Sequence, residues 1–295
     1  MSPIPLSPYV QGVAAIVAGA ICWSIAGPVV RALAISPWDA TFWRSVFMFA
    51  ALLPLLWLWR RQAMRTLLVA RWAIVLSGLL LAVTFNMFIV ALSLTTVANT
   101  LIMIAMAPFA TAVVLRIALG EAVPASTWVA MTVAVGGIAL TVIDSLATGG
   151  WLGVAVAAIV PLAFSLNTAI VRHYRDLNML PAIALAALFS ALMALPFANP
   201  GQLTMSHLPL LVILGPIQLG AGLALFMWGV RFVPGAQAAL IALLEIVLGP
   251  IWVWLIYGER MGDLGLIGSA VVLAAILANG AVEIRRQNAP LVAPA

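Results

Sequence analysis

Ten apolar runs, each about twenty residues long and separated by short polar connectors, set the pattern of the chain. They do not alternate with the two-residue period of a strand. They also lack the polar stripe of a helix that faces water, being apolar on all sides. A helix of about 20 such residues crosses about 30 Å of hydrocarbon, so each run predicts a membrane span. Breakers and flanking charge place span 1 at Val10–Val30, span 2 at Ala40–Trp59, span 3 at Trp72–Leu92, span 4 at Val97–Leu119 and span 5 at Ala125–Ile143. Span 6 is placed at Trp151–Val171, span 7 at Leu180–Phe197, span 8 at Leu208–Val230, span 9 at Gly235–Tyr257 and span 10 at Leu264–Val282. A membrane β-barrel is disfavoured, because its strands are short and alternate.

Composition agrees. Of 295 residues, 65% are hydrophobic and only 7% charged, against roughly 25% charged in a soluble domain. Ten spans and their connectors use nearly the whole length, which predicts one membrane domain and no separate soluble one. The net charge of +5 comes from thirteen arginines with no lysine, most at the edges of apolar runs. There they orient a membrane protein, so nucleic acid is not an expected partner. Cys22 is the only cysteine and excludes an intramolecular disulfide. No positive charge precedes the first run, which reads as a retained helix rather than a cleaved signal peptide.

With the N-terminus cytoplasmic, inner connectors and helix ends hold ten arginines (60, 61, 65, 71, 116, 172, 175, 231, 285 and 286) and outer ends hold three, Arg31, Arg44 and Arg260. The positive-inside rule then places both termini in the cytoplasm, as expected of a multi-pass protein of a bacterial inner membrane. Tyr9, Trp38, Trp57, Trp59, Trp72, Trp128, Trp151 and Tyr257 fall near helix ends and read as interfacial anchors.

The halves resemble each other. Gly12-Val13-Ala14 recurs as Gly153-Val154-Ala155, and in the same register Ser24 matches Ser165, Val30 matches Val171 and Arg31 matches Arg172, a shift of 141 residues. From span 3 the shift is 138: Leu81 matches Leu219, Phe88 matches Phe226, Ala98 matches Ala236, and Gly120-Glu121 matches Gly258-Glu259. Residues 1–148 are thus expected to form one five-helix repeat and 149–295 the other. Five is odd, so the second copy enters the membrane inverted. Inverted repeats around a midplane site characterise secondary transporters, and two related packings make inward- and outward-facing states close in energy.

The stretch Ala91 to Thr100, then Ala107-Pro108, Leu119-Gly120-Glu121 and Gly136-Gly137-Ile138, resembles the repeat of EamA-type proteins of the drug/metabolite transporter superfamily. The second half carries a degraded copy in Ala236 to Ala239, Leu244-Glu245, Tyr257-Gly258-Glu259 and Gly268; Pro37 and Arg44 of span 2 also fit. Two departures stand out. Glu245-Ile246 replaces a frequent Glu-Pro, and span 7 has no counterpart of Arg44. The resemblance implies the ten-helix transporter fold. Within the superfamily the chain looks most like YddG-type amino-acid exporters, which implies export of neutral or aromatic amino acids or related metabolites, and no cofactor.

Ionisable groups within spans are functional candidates because they are costly there. Glu245 lies mid-span and suits a proton or a substrate amino group. Arg44 lies a few residues inside span 2, where it can snorkel outward or form an ion pair. Asp39, Asp144 and Asp263 sit at helix ends and read as solvated, as do His173 and His207 near connectors. The polar residues Asn86, Asn99, Thr100, Ser165, Asn167, Thr168, Gln218 and Gln237, with Trp23-Ser24, are expected to line a shared cavity or to bond helix to helix. Trp23 and Phe164 share a register and so form opposed aromatic walls, to which Phe85, Met103, Phe226 and Trp228 add. Gly27-Pro28, Pro108 and Gly249-Pro250 read as kinks or gate hinges, with Gly120 and Gly258 in left-handed turns beside capping glutamates. Neither H-E-x-x-H nor G-x-S-x-G occurs and no two carboxylates share a span, so enzyme chemistry is not expected.

Overall fold

The computed structural model describes residues 7–142, 151–258 and 262–288. Ile143, Asp144, Glu259 and Arg260, named above, lie outside the described residues. The helices start where capping chemistry says they should. Ser7 accepts from Val10 N ahead of Pro8, Ser36 accepts from Asp39 N ahead of Pro37, and Thr96 accepts from Asn99 N. Each satisfies a backbone donor that a helix start leaves unpaired. Gly120 (φ 68°) and Gly258 (φ 73°) end spans 4 and 9 in the left-handed region, which favours glycine. Nine helices among the described residues are long and apolar enough to cross a membrane, and a shorter apolar helix, Ala125–Thr141, supplies span 5.

Several spans are interrupted. Span 1 is Pro8–Ser24 then Ala26–Leu33; span 4 is Val97–Ala105 then Ala107–Leu119; span 9 is Gly235–Ala242 then Leu244–Tyr257. Span 8 passes through a π-helical stretch, Ile213–Ala221, which contains Pro216. Discontinuous helices of this kind are tolerated in lipid only where protein or a cavity covers the freed backbone. Span 3 departs from expectation at its start. The helix runs from Arg60 to Leu94 with non-helical angles at Ala70, so the arginine-rich connector is helical rather than a loop. Span 2 starts at Pro37, span 6 reaches His173, and span 10 runs Asp263–Asn288.

Packing obeys the repeat. Exchanging span n with span n+5 maps each large helix contact onto another. Span 1 packs on span 8 as span 6 packs on span 3, span 4 on span 6 as span 9 on span 1, and span 3 on span 7 as span 8 on span 2. Spans 2 and 7, 4 and 9, and 5 and 10 pair across the axis. Close approaches are duplicated as well. A Cβ on Gly12 would lie 2.9 Å from Val233 and 3.0 Å from Phe232, and one on Gly153 would lie 2.6 Å from Thr95 and 2.7 Å from Leu94, the repeat counterparts of those two residues. Small residues permit such crossings.

Connector contacts also count the crossings. Asn178 Nδ2 donates to Gln62 Oε1 at 3.3 Å, Glu121 pairs with Arg172, Asn199 N donates to Asp39 Oδ1, and Tyr257 OH donates to Pro28 O. Each contact joins segments separated by an even number of spans, as it must if every run crosses. The chain is an all-α membrane protein of ten helices in two inverted five-helix repeats. One apolar cluster draws chiefly on spans 1, 2, 3, 7 and 8 (Ile16, Met48, Leu81, Ile183, Phe226), with Val171 of span 6 and Ile241 of span 9, and a second on spans 4, 5, 9 and 10 (Met131, Ile138, Leu240, Val272).

Two end residues depart from the sequence reading. Tyr9 is not an interfacial anchor but is buried at 5% exposure, its hydroxyl accepting from Gln237 Nε2 at 2.7 Å. Asp39 is not solvated but is 5% exposed, holding Ser36 Oγ and Asn199 N. Partners remote in sequence cover both.

Candidate functional site

The breaks in spans 1 and 9 face one another across a cavity of about 650 Å³, and the break in span 4 joins them through Ile104 and Ala107. Members of both apolar clusters line it, Leu219 and Leu223 from one and Leu101 and Ile246 from the other, so it lies where the two clusters meet. At Leu243 the backbone N bonds Leu240 O, three residues back, instead of continuing the α-helical ladder. Glu245 therefore falls in the first turn of a fresh half-helix, where the aligned peptide dipoles favour an anion. Met106 makes the same three-residue bond to Met103 in span 4, with Pro108 in the turn that follows.

The wall is mainly apolar, with a few polar groups set into it. Ser24 Oγ accepts from Trp252 Nε1 at 2.8 Å and donates to Ile21 O at 2.7 Å. Gln218 Nε2 donates to Trp23 O at 3.3 Å, leaving its Oε1 without a protein partner; Trp23 Nε1 and Arg44 Nε are likewise buried and unpaired. Arg44 is 8% exposed, so it does not snorkel to the surface, and its guanidinium lies 5.8 Å from the centroid of the Phe85 ring. Neither Arg44 nor Glu245 makes a hydrogen bond or ion pair among the described residues. A cation and a carboxyl thus line one pocket without neutralising each other. Trp23 meets Phe164 edge-on at 6.3 Å and Phe226 at 5.4 Å, and Phe164 lies 5.0 Å from Phe226. This three-ring cluster forms the floor. Gly27 and Gly262 line the mouth, at the ends of spans 1 and 10 remote from the arginine-rich face.

On that arginine-rich face the spans are locked. Arg172, ending span 6, donates to Val230 O and Val233 O, and its Nε lies 2.8 Å from Glu121 Oε2. The other oxygen of Glu121 accepts from Gly235 N at 3.0 Å, capping span 9 rather than the adjacent span 5. The Glu121–Arg172 pair therefore ties the ends of spans 4, 6, 8 and 9.

Of the residues singled out in the sequence, Trp23, Ser24, Phe85, Phe164, Gln218 and Glu245 line the cavity, together with Arg44, Gly27, Gly249 and Pro250. The other polar candidates turn away into helix contacts. Asn86 Nδ2 donates to Ser190 Oγ, Asn167 Oδ1 accepts from Ser77 Oγ, Ser165 bonds Thr111, and Gln237 bonds Tyr9. Asn99 donates to Thr95 Oγ1, and Thr100 and Thr168 bond the carbonyls of Thr96 and Phe164 on their own helices. Phe226 is the fully buried base of the floor, and Trp228 opens onto a separate pocket. Met103 and Pro108 lie near the span 4 break, and Pro28 accepts from Tyr257. Sequence reasoning missed Thr84, Phe88 and Thr141 in the wall. It also missed the lock, although Arg172 and Glu121 were readable as members of repeated pairs. Among the described residues no three His, Cys, Asp or Glu side chains gather as a metal site requires.

No curated protein matches the chain. A solved crystal structure whose description names no function is similar over 95% of this chain and 99% of that one, at TM-score 0.78 and 16% identity, which shows the shared fold. The EamA-like transporter family matches twice, over residues 10–143 and 151–280, the two halves whose packing mirrors one another. The chain belongs to the EamA-like transporter family, of the drug/metabolite transporter superfamily, and is a multi-pass membrane protein.

Proposed function

We propose that the chain exports neutral and aromatic amino acids by alternating access, as a YddG-type carrier. The observation that carries this reading is that the Arg44 guanidinium and the Glu245 carboxyl line one aromatic-walled cavity, neither with a hydrogen bond or ion pair among the described residues. An amino acid presents a carboxylate and an ammonium a few ångströms apart, and each matches one member of the pair. Trp23, Phe85 and Phe164 offer faces to an apolar or aromatic side chain. An uncompensated guanidinium within the membrane costs roughly 3 kcal/mol, a cost offset when a substrate carboxylate meets it. With the arginine-rich face cytoplasmic by the positive-inside rule, the Arg172–Glu121 lock closes the inner end, and the cavity faces outward, as a release state does.

Counterflow of labelled phenylalanine and leucine in proteoliposomes tests the reading. Saturable flux is expected. Glu245→Gln and Arg44→Gln should each lower it about 10- to 100-fold, the worth of one charge-assisted bond of roughly 1.5–3 kcal/mol, with little change in melting temperature. Full flux in both variants would remove the zwitterion assignment. Flux of another metabolite but of no amino acid would reassign the substrate.

A further inference from the structure

A second pocket of about 600 Å³ opens on the arginine-rich face, between the helical start of span 3 and the ends of spans 6, 7 and 8. It is no collapsed image of the central cavity. The repeat carries the cavity residues Trp23, Gly27, Arg44 and Phe88 onto Phe164, Thr168, Leu185 and Phe226, and none of these four lines the second pocket.

Its construction combines a basic rim with an apolar floor. From Arg60 to Val69 the chain forms an amphipathic helix that breaks at Ala70 (φ −135°, ψ 33°). Ala63, Thr66 and Ala70 are buried against the bundle, while Met64 and Leu68 are 60% and 80% exposed. That is the pattern of a helix lying in the headgroup region with its apolar side toward acyl chains. Arg65 projects from it at the pocket rim and makes no hydrogen bond or ion pair among the described residues. Arg231 faces it from the span 8–9 connector, oriented by two carbonyls, Arg175 O and Leu177 O. Carbonyls hold a guanidinium in place without neutralising it. Burial lowers the Arg231 pKa, and exposed Asp176, a carboxylate that also lines the pocket, opposes that shift. Gln62, Thr66 and Asn178 add uncharged polar groups, and Trp59 and Trp228 flank the opening. Deeper in, Ile183, Ala224 and Met227 supply an apolar floor.

We propose that this pocket binds the phosphate headgroup of an anionic phospholipid, with Arg65 and Arg231 on the phosphate and the first acyl carbons on the floor between spans 7 and 8. Two guanidiniums match phosphate geometry, and basic pockets between membrane helices on this face recognise lipid headgroups. A soluble phosphate shares the polar chemistry but has nothing to place on Ile183 and Met227. The proposal does not depend on which solute the central cavity carries.

The test uses the purified full chain in neutral detergent, melted with dioleoylphosphatidylglycerol, with dioleoylphosphatidylcholine at the same mole fraction, or with glycerol 3-phosphate. A ligand that binds the native state raises the melting temperature. Phosphatidylglycerol is expected to raise it by about 3 °C or more, and the other two by less than a third of that. Arg65→Gln, which breaks no contact, should at least halve the shift. Arg285→Gln with Arg286→Gln removes two charges from the same face outside the pocket and should leave the shift intact. Equal shifts with phosphatidylcholine, or an equal loss in the Arg285/Arg286 variant, would overturn the site. An equal shift with glycerol 3-phosphate would overturn the lipid as its occupant.

Discussion

At the arginine-rich face, Arg172 at the end of span 6 is gripped by Glu121 and by the carbonyls of Val230 and Val233. At the opposite face its repeat counterpart Arg31, at the end of span 1, lies over the Tyr257 ring at 4.4 Å, and Tyr257 bonds Pro28 O. The first end is closed beneath three rings in edge-on and tilted contact; at the second, glycines line the mouth of the cavity. A repeated frame thus supplies the same residue to both ends and sets it among different neighbours, a carboxylate and carbonyls at one and an aromatic ring at the other.

The largest effect should come from the floor. Phe226→Ala removes a fully buried ring on which both Trp23 and Phe164 rest, and should lower stability by about 3–5 kcal/mol, read as a fall in melting temperature. An unchanged melting temperature would mean that the ring cluster contributes little to the stability of the fold.

Next comes the lock. Arg172→Ala strips Glu121 of its cation and leaves two carbonyls unpaired, a loss of about 2 kcal/mol for partly exposed groups. In a Cys22→Ala background, Val233→Cys should then react with a soluble maleimide at least about tenfold faster than with Arg172 present, that ratio being the kinetic equivalent of about 1.4 kcal/mol. An unchanged rate would show that something else holds this face shut.

The smallest effect belongs to the open end. Tyr257→Phe keeps the ring under Arg31 but deletes the bond to Pro28, a change of about 1 kcal/mol, and maleimide labelling of Gly262→Cys should stay as fast as before. A large slowing would mean that the Tyr257–Pro28 bond holds the mouth open.

The spans themselves were legible, because length and apolarity alone define a membrane helix. The repeat was legible from pairs such as Arg31/Arg172 and Gly12/Gly153. The direction in which a side chain points was not. A helix that is apolar all round has no phase, so nothing in spans 3, 4 or 6 told that Asn86, Asn99 and Asn167 turn toward neighbouring side chains while Phe85 and Phe164 face the cavity. The breaks at Ile25, Met106 and Leu243 fall inside unbroken apolar runs, with proline near only the first two. The helix before span 3 had a readable signal, Ala63, Thr66 and Ala70 on one side, which the flanking arginines obscured. Arg44 looked like a surface group because it lies near a helix end, but Gly215 brings span 8 against its backbone and covers it.

The π-helical stretch in span 8 has no partner in span 3, which runs regularly through the corresponding residues. A machine whose halves were perfect mirror images would idle equally well in either position. Winding a wider coil into one half alone removes that indifference, because the two halves no longer repeat each other turn for turn.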